Sequence, residues 1–207
     1  MLLKQTRLIN LSLCRSLQKE VKMRVIVGIT GASGSIYAIR LIEVLKEKKC
    51  EVHAVVTQSG YQVIEYECGI TKEQLKQKVD FLHEIDNIGA SIASGSFKND
   101  LMVIVPCSMK TLGCIANGIS DNLLIRAADV TLKEGRPLFI VPRETPVHAI
   151  HLENMLKLAQ LGVKIIPACP GFYHKPETLN DLVDMLVGKI CDIMRIDTDL
   201  FNRWQGN

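Results

Sequence analysis

Arg143 and Glu144 directly follow an apolar segment of the sequence, and their side chains could do chemistry together. A guanidinium group binds a phosphate through paired hydrogen bonds, and a carboxylate can accept or donate a proton. A structural ion pair between the two side chains is the alternative interpretation. The pair predicts a site that binds an anion and moves a proton.

A second candidate site lies at Gly28, Gly31 and Gly34, three glycines spaced three residues apart. This spacing matches neither the dinucleotide-binding GxGxxG motif nor the P-loop. Residues with little or no side chain let a strand turn into a helix whose first N–H groups face a ligand. Such a turn suits an anion or an electron-rich ring edge, and Ser33 could add a hydroxyl there. The alternative is a tight turn in which Ser35 caps the helix.

The segment Pro106–Thr111 repeats this arrangement after another apolar run. Ser108 and Thr111 could cap the helix that follows and leave backbone N–H groups for a ligand. Lys110 in the first helical turn is unfavourable for the helix dipole, so it indicates either a nearby anionic or carbonyl group or a side chain in solvent. Cys107 is predicted to be a buried thiol rather than a nucleophile, because no His or acid partner can be assigned to it.

Five short apolar segments, rich in Val and Ile, alternate with longer segments of helical periodicity. Most of the short segments are apolar throughout, as expected for strands buried on both faces. The predicted strands are Arg24–Thr30, Glu51–Thr57, Leu101–Val105, Leu138–Val141 and Val163–Ile166. The predicted helices are Ile36–Lys48, one that opens with a capping box at Thr71 and Gln74, Pro146–Leu161 with Thr145 as its cap, and Thr178–Met194 with Thr178 as its cap.

This order predicts a single α/β domain with a doubly wound, mostly parallel, Rossmann-like sheet and helices on both faces. Ligands bind such sheets outside the carboxyl ends of the strands. The turns after the five predicted strands should therefore meet at one edge of the sheet. That edge is predicted to be the functional site.

The composition excludes several classes of protein. The chain has 207 residues, 47% of them hydrophobic and 23% charged, which suits one globular domain. A net charge of +3 with scattered Lys and Arg argues against a nucleic-acid partner. No apolar run approaches the roughly 18 residues of a membrane span, so no membrane partner is expected. The seven cysteines form no CxxC pair and predict reduced thiols in a cytoplasmic protein, and the scattered histidines argue against a metal site.

Residues 1–22 differ from the rest of the chain. Five basic residues stand against one acid, Glu20, and the apolar positions look amphipathic. We interpret the segment as an upstream start, because Met23 leads directly into the first predicted strand. A transit peptide, and with it a mitochondrial location, is the alternative. The functional domain is accordingly predicted to span residues 23–207.

A set of motifs occurs along the chain in a specific order. The motifs are GITGASG at 28–34, SGS at 94–96, PCSMKTL at 106–112, RAAD at 126–129 with LKE at 132–134, VPRETP at 141–146, HLENML at 151–156, FY at 172–173 and RW at 203–204. Together they closely resemble the UbiX flavin prenyltransferases, including the small companion proteins of phenolic and hydroxyaromatic acid decarboxylases. The resemblance extends from Met23 to the C-terminus.

The resemblance implies an activity and its partners. Such an enzyme joins a dimethylallyl group from dimethylallyl phosphate to N5 and C6 of reduced FMN without a metal. The product, prenylated FMN, would serve a UbiD-type decarboxylase. The resemblance also implies a homo-oligomer, expected to be a dodecamer, with sites at the subunit contacts.

The matching positions also imply the roles of individual residues. Residues that would hold FMN are Gly31, Ala32, Ser33, Thr57, Cys107, Ser108, Met109, Lys110 and Arg143. Residues that would surround the prenyl phosphate are Arg126, Lys133, Glu144, Tyr173 and Lys189. Ser33 would form a hydrogen bond near flavin N5, Glu67 would assist proton removal, and Trp204 would stack near the allylic group. With Glu144, these three form the implied catalytic set.

Two positions depart from the family pattern. Lys189 stands where many relatives have Arg, so a bidentate phosphate contact becomes a point-charge contact. Thr57 stands where many have Ser, and it keeps the hydroxyl.

Two other functions are alternatives to the transferase. One is a non-catalytic flavin carrier or decarboxylase subunit, which would not need the residues directed at the prenyl phosphate. The other is a flavin-dependent cysteine decarboxylase. That enzyme would need an early catalytic His and an Asn in the loop after the third strand, whereas His53 lies inside a predicted strand and the loop is PCSMKT.

Overall fold

The computed structural model describes residues 22–204 and 206, and it contains one six-stranded sheet. The strands are β1 Arg24–Ile29, β2 Glu51–Val56, β3 Phe81–His83, β4 Leu101–Cys107, β5 Leu138–Pro142 and β6 Lys164–Ile165. They are all parallel and run in the order β3-β2-β1-β4-β5-β6. The helices are α1 Ser35–Glu47, α2 Gln58–Cys68, α3 Lys72–Lys78, α4 Met109–Ala116, α5 Leu123–Lys133, α6 Ala149–Gln160 and α7 Leu179–Ile193. The predicted doubly wound fold is confirmed, whereas residues 1–21 of the proposed extension lie outside the described residues.

Alternate residues of the central strands pack into two separate cores. Val25, Val27 and Ile29 of β1 join the core that also contains buried residues of α1 and α7. Ile26 points to the opposite face, where the core contains residues of α4, α5 and α6. Each buried aliphatic side chain contributes about 1.5–3 kcal/mol relative to an exposed one, so the central strands are held from both faces. The sheet is therefore a rigid base for the turns at its edges.

The structure corrects the predicted start of the sixth helix. The helix begins at Ala149 with His148 as the N-cap residue, and not at Pro146 with Thr145 as its cap. The Thr145 hydroxyl donates to the Glu144 carbonyl, and no side chain of the described residues makes a capping hydrogen bond at the N-terminus of this helix. The segment between β5 and α6 is consequently irregular, and it is longer than the sequence pattern predicted.

The other predicted helix starts are partly confirmed, and one strand was not predicted. The capping box at Thr71 and the N-cap at Thr178 are confirmed, and Asp181 completes a capping box at Thr178 that was not predicted. The N-cap of α1 is Gly34, which has a φ of 107° and no side chain to cap with, so Ser35 is not the cap. Strand β3 was not predicted, because it has only three residues and its position at the sheet edge leaves Phe81 exposed. The six cysteines within the described residues are free thiols.

A pair of histidines joins β2 to the edge strand β3. His53 Nδ1 lies 3.0 Å from His83 Nε2, and His53 Nε2 lies 2.9 Å from a carboxylate oxygen of Glu51. Burial lowers the pKa of both imidazoles, and for His53 the Glu51 carboxylate opposes this effect in part. Both rings are therefore held in the neutral form at neutral pH.

None of the helices within the described residues is long and apolar enough to cross a membrane.

Candidate active site

The turns that follow β1, β4 and β5 are joined by direct hydrogen bonds. Arg143 Nε, after β5, donates to the Ser33 carbonyl oxygen at 3.0 Å. The Thr30 hydroxyl donates to the Pro106 carbonyl at 2.8 Å and accepts from the Ser108 N–H at 2.8 Å. The carboxyl edge of the sheet therefore brings together three of the segments in which the sequence analysis placed the site.

The turn after β1 is shaped by two glycines. A Cβ on Gly31 would lie within 2.6 Å of Ser59 Cβ, so no larger residue fits without moving the start of α2. Gly34 adopts a positive φ that few other residues accept, and it directly precedes α1. Thr57 uses its hydroxyl to cap α2 by accepting from the Gly60 N–H at 3.0 Å. The predicted turn is confirmed in shape, and the Thr57 hydroxyl also lies 3.3 Å from the Ser59 hydroxyl.

Glu67, near the end of α2, reaches the N-terminus of α1. Its Oε2 accepts hydrogen bonds from the backbone N–H groups of Gly34 and Ser35, each at 2.9 Å. Partial burial raises the pKa of Glu67, but hydrogen bonds from the Ser33 side chain and these two N–H groups, with the charge of Arg143, hold the pKa below its ordinary value. Glu67 is therefore a carboxylate anion in contact with the turn after β1.

The turn after β4 leads into α4 as the sequence predicted. Ser108 is the N-cap and accepts from the Thr111 N–H, which places Met109 and Lys110 in the first turn. Cys107 is fully buried, and burial raises the pKa of its thiol far above the ordinary value. The prediction that Cys107 is a buried thiol is confirmed, and a thiolate nucleophile at this position is excluded at neutral pH.

Tyr173 and Trp204 come together although they are far apart in the sequence. Their ring centroids lie 6.4 Å apart in an edge-to-face arrangement, and both side chains are exposed. Arg203 anchors the C-terminal segment by donating to Asp192 at 2.6 Å and to the Thr198 carbonyl at 3.0 Å. Lys189 lies exposed on α7, in the penultimate turn. The C-terminal segment thus carries an aromatic ring to the loop after β6.

Arg126 and Lys133 are not brought to this edge as a pair. Both lie on α5, where Arg126 donates to Asp129 at 2.7 Å, and Lys133 Nζ lies 4.0 Å from Glu134. The C-terminal end of α5 is followed by the amino end of β5, so Lys133 lies at the edge of the sheet opposite to Arg143. Glu144 remains beside Arg143 and is exposed. One copy of the chain therefore does not gather every residue that the sequence analysis assigned to the prenyl phosphate.

Two residues of this edge were not singled out by the sequence analysis. Thr30 is only 1% exposed, yet its hydroxyl joins two turns. In the sequence Thr30 is only a polar residue at the end of an apolar segment. Such a residue is equally typical of an ordinary strand end, so it does not indicate a site. Ser59 packs against Gly31 and lies 3.3 Å from the Thr57 hydroxyl, and its position directly after the second strand was the only sign of it.

The geometry agrees with comparisons to known proteins. The flavoprotein family matches residues 13–194. The flavin prenyltransferase UbiX of Halalkalibacterium halodurans is 52% identical over 188 residues, which cover 86% of this chain and 91% of that protein. Two solved structures also share the fold over 89% of this chain.

The first of these structures is AnUbiX (PadA1) in complex with FMN and dimethylallyl pyrophosphate, with a TM-score of 0.88, 40% identity and coverage of 98% of that chain. The second is a dodecameric FMN-dependent Ubix-like decarboxylase from Escherichia coli O157:H7, with a TM-score of 0.87, 43% identity and coverage of all of that chain. The range matched by the flavoprotein family includes the turns after β1, β4 and β5 described above. The chain belongs to the UbiX flavin prenyltransferase family of flavoproteins.

Proposed function

We propose that this protein transfers a dimethylallyl group from dimethylallyl phosphate to N5 and C6 of reduced FMN, and that the product serves a UbiD-type decarboxylase. The observation that carries the proposal is the arrangement around the turn after β1. Arg143, directly after β5, donates to the Ser33 carbonyl, and Glu67 on α2 accepts from the Gly34 and Ser35 N–H groups, so a cation and an anion meet at this turn. A ligand at this turn would have the phosphate-binding guanidinium of Arg143 on one side and the proton-accepting carboxylate of Glu67 on the other.

The residues at the edge fit a flavin mononucleotide. Gly31 keeps the space beside Ser59 free of a side chain, and the first turn of α4 offers backbone N–H groups to an anion. In the proposal Gly31, Ala32, Ser33 and Thr57 hold one side of FMN. Residues Cys107, Ser108, Met109, Lys110 and Arg143 hold the other. Reduced FMN would supply the two ring positions that accept the prenyl group.

The prenyl phosphate would lie between the flavin and the aromatic pair. When the allylic C–O bond breaks, its electron pair remains on the phosphate oxygen and positive charge develops on the prenyl carbon. Lys189 and Tyr173 would bind the phosphate, and the Trp204 ring would stabilise the allylic charge through its face. Glu144 would take part in proton transfer at the leaving phosphate. The electrostatic groups would thus perform the transfer without a metal.

Glu67 is the proposed base for the second bond. Closing the new ring requires the alkene of the attached prenyl group to take up a proton, which an acidic group such as the released phosphate would supply, so that its tertiary carbon can bond to C6. C6 then loses its own proton, and a carboxylate that is anionic at neutral pH can accept that proton. The Ser33 side chain, which contacts Glu67, would form a hydrogen bond near N5. The two residues would therefore act in sequence on the same face of the flavin.

A second copy of the chain would complete the site. Helix α6 follows the Arg143–Glu144 turn along the chain, and it leaves large apolar side chains in solvent. Ile150 is 63% exposed and Leu156 is 59% exposed. Exposed apolar surface of this kind marks a protein contact. In the proposal α6 packs against a neighbouring subunit of a dodecamer, and a neighbour supplies Arg126 and Lys133 to the prenyl phosphate. The cytoplasmic location, and residues 23–207 as the functional domain, remain predictions.

Binding of dimethylallyl phosphate to the FMN-loaded protein tests the proposal. We expect saturable binding in the presence of EDTA, and we expect Tyr173→Phe and Lys189→Ala each to weaken it about tenfold, the loss of one charged or hydrogen-bonding contact. Lys189→Arg is the matched control and should bind at least as tightly as the wild type. A flavin carrier would load FMN but ignore dimethylallyl phosphate, and that result would contradict the transferase.

A further inference from the structure

Thr30 connects the turn after β1 to the turn after β4, and it is not one of the residues proposed to hold FMN or the prenyl phosphate. The residue is 1% exposed, and its hydroxyl uses both of its hydrogen-bonding capacities. It donates to the Pro106 carbonyl at 2.8 Å and accepts from the Ser108 N–H at 2.8 Å. Its backbone N–H also donates to the Pro106 carbonyl at 3.3 Å.

The side chain of Thr30 takes over where the strand ladder ends. The pairing of β1 with β4 runs from Val25↔Leu101 to Gly28↔Ile104 and goes no further. Pro106 has no backbone N–H to donate, so beyond this pair the Thr30 N–H makes a backbone hydrogen bond of 3.3 Å to the Pro106 carbonyl, and Pro106 returns none. The Thr30 hydroxyl adds a second hydrogen bond to the Pro106 carbonyl and satisfies the Ser108 N–H, and this strengthens the connection of the two strands beyond the last register pair.

The connection places the two turns that would hold the flavin. Thr30 directly precedes Gly31, and its partner Ser108 is the N-cap of α4. A shift of Ser108 would move the first-turn N–H groups of α4 relative to the turn after β1. We propose that Thr30 is a positioning residue that sets the distance between the two halves of the flavin site. The inference rests on the proposed function, because it takes FMN as the ligand that spans both turns.

The test compares Thr30→Val, Thr30→Ser and a matched control by FMN titration, each well below its own melting temperature. Thr30→Val keeps the branched shape but removes the hydroxyl, and we expect it to bind FMN about tenfold more weakly, because the released Ser108 would let the first turn of α4 move away from the turn after β1. Thr30→Ser keeps the hydroxyl and should bind within about twofold of the wild type. Thr131→Val is the control, because Thr131 is 0% exposed and its hydroxyl donates to the Ala127 carbonyl inside α5.

A second measurement does not depend on FMN. Amide hydrogen exchange should show the Ser108 N–H protected in the wild type and in Thr30→Ser, and unprotected in Thr30→Val. If Thr30→Val does not fold, Thr30→Ala is measured in the same way with the same expectation. Equal FMN affinity and equal Ser108 protection in the hydroxyl-free variant would overturn the positioning role, as would an equal loss of affinity in Thr131→Val. Absence of FMN binding by the wild type would instead overturn the proposed function.

Discussion

Replacement of Glu67 by Gln should reveal how the Glu67 carboxylate stabilises the N-terminus of α1. Gly34 is the N-cap of that helix and has no side chain to accept a hydrogen bond, so Glu67 takes this role from α2. Gln could still accept the same two N–H groups with its amide oxygen. The substitution therefore removes the negative charge and leaves the shape and the acceptor nearly unchanged.

The expected cost follows from the two contacts. Hydrogen bonds to charged groups contribute about 1.5–3 kcal/mol and neutral ones about 0.5–1.5 kcal/mol, so loss of the charge costs about 1 kcal/mol. An anion at a helix N-terminus adds about 0.3–1 kcal/mol, and screening by solvent lowers this share for a largely exposed group. Because the Glu67 carboxylate is exposed, screening reduces both contributions, and we expect a total of about 1 kcal/mol in the free energy of unfolding. This corresponds to a drop of about 2–4 °C in melting temperature for a domain of this size.

The pH dependence separates the charge effect from a packing effect. The pKa of Glu67 is lowered in the folded protein from its ordinary value of 4.5. A lowered carboxyl pKa contributes stability above 4.5, and this contribution is lost as the pH falls through the folded value. The difference in unfolding free energy between the wild type and Glu67→Gln should therefore be largest at neutral pH and should shrink below pH 4.5. Denaturant unfolding of the wild type and of Glu67→Gln at several pH values measures this difference.

Glu65→Gln is the matched control for this experiment. Glu65 is exposed on the same helix, and its side chain makes no hydrogen bond to the residues that the structure describes. Its substitution should change the free energy of unfolding by less than about 0.5 kcal/mol at any pH. A Glu67→Gln penalty that does not change with pH, or that equals the Glu65→Gln effect, would refute the role of the carboxylate charge.

Three further predictions follow from contacts at the edge and in the core. Gly31→Ala should bind FMN at least about tenfold more weakly, because the new Cβ meets Ser59. FMN fluorescence titration measures this, with Ser59→Ala as the comparison variant. His83→Gln should lose less stability than the wild type as the pH falls below 6.5, since the pKa of this half-buried histidine is lowered and the folded state resists protonation; equal slopes in pH-dependent unfolding would contradict this. A thiol-reagent assay should show that Cys169→Ser removes one fast-reacting thiol, whereas Cys107→Ser removes none.

The sequence was sufficient to predict the fold because the apolar pattern of a strand is clearest where the strand is completely buried. Each central strand is covered on both faces, so its residues are apolar throughout and stand out from the helices. Strand β3 has three residues at the sheet edge and carries no such pattern. The start of α6 was misplaced because a Thr-Pro pair is also a common helix start, and the contact of the Thr145 hydroxyl with the Glu144 carbonyl is not encoded in a local motif.

The site was predictable in part for similar reasons. Residues directly after strands, such as Ser33 and Arg143, reach one edge by the topology of a parallel sheet. The contact of Glu67 with the N-terminus of α1 depends on how α2 packs, so composition and spacing could not predict it; the family resemblance alone drew attention to this residue. Thr30 was missed because a threonine at the end of a strand is common and its two partners are 76 and 78 residues away.

Mass spectrometry of the flavin after anaerobic incubation with reduced FMN and dimethylallyl phosphate tests the central claim most directly. We predict a flavin whose mass has increased by one prenyl group, and Glu67→Gln should bind both ligands but stop before the second bond closes the ring. Unchanged FMN, recovered from protein that demonstrably binds the flavin, would contradict the transferase and favour a flavin carrier.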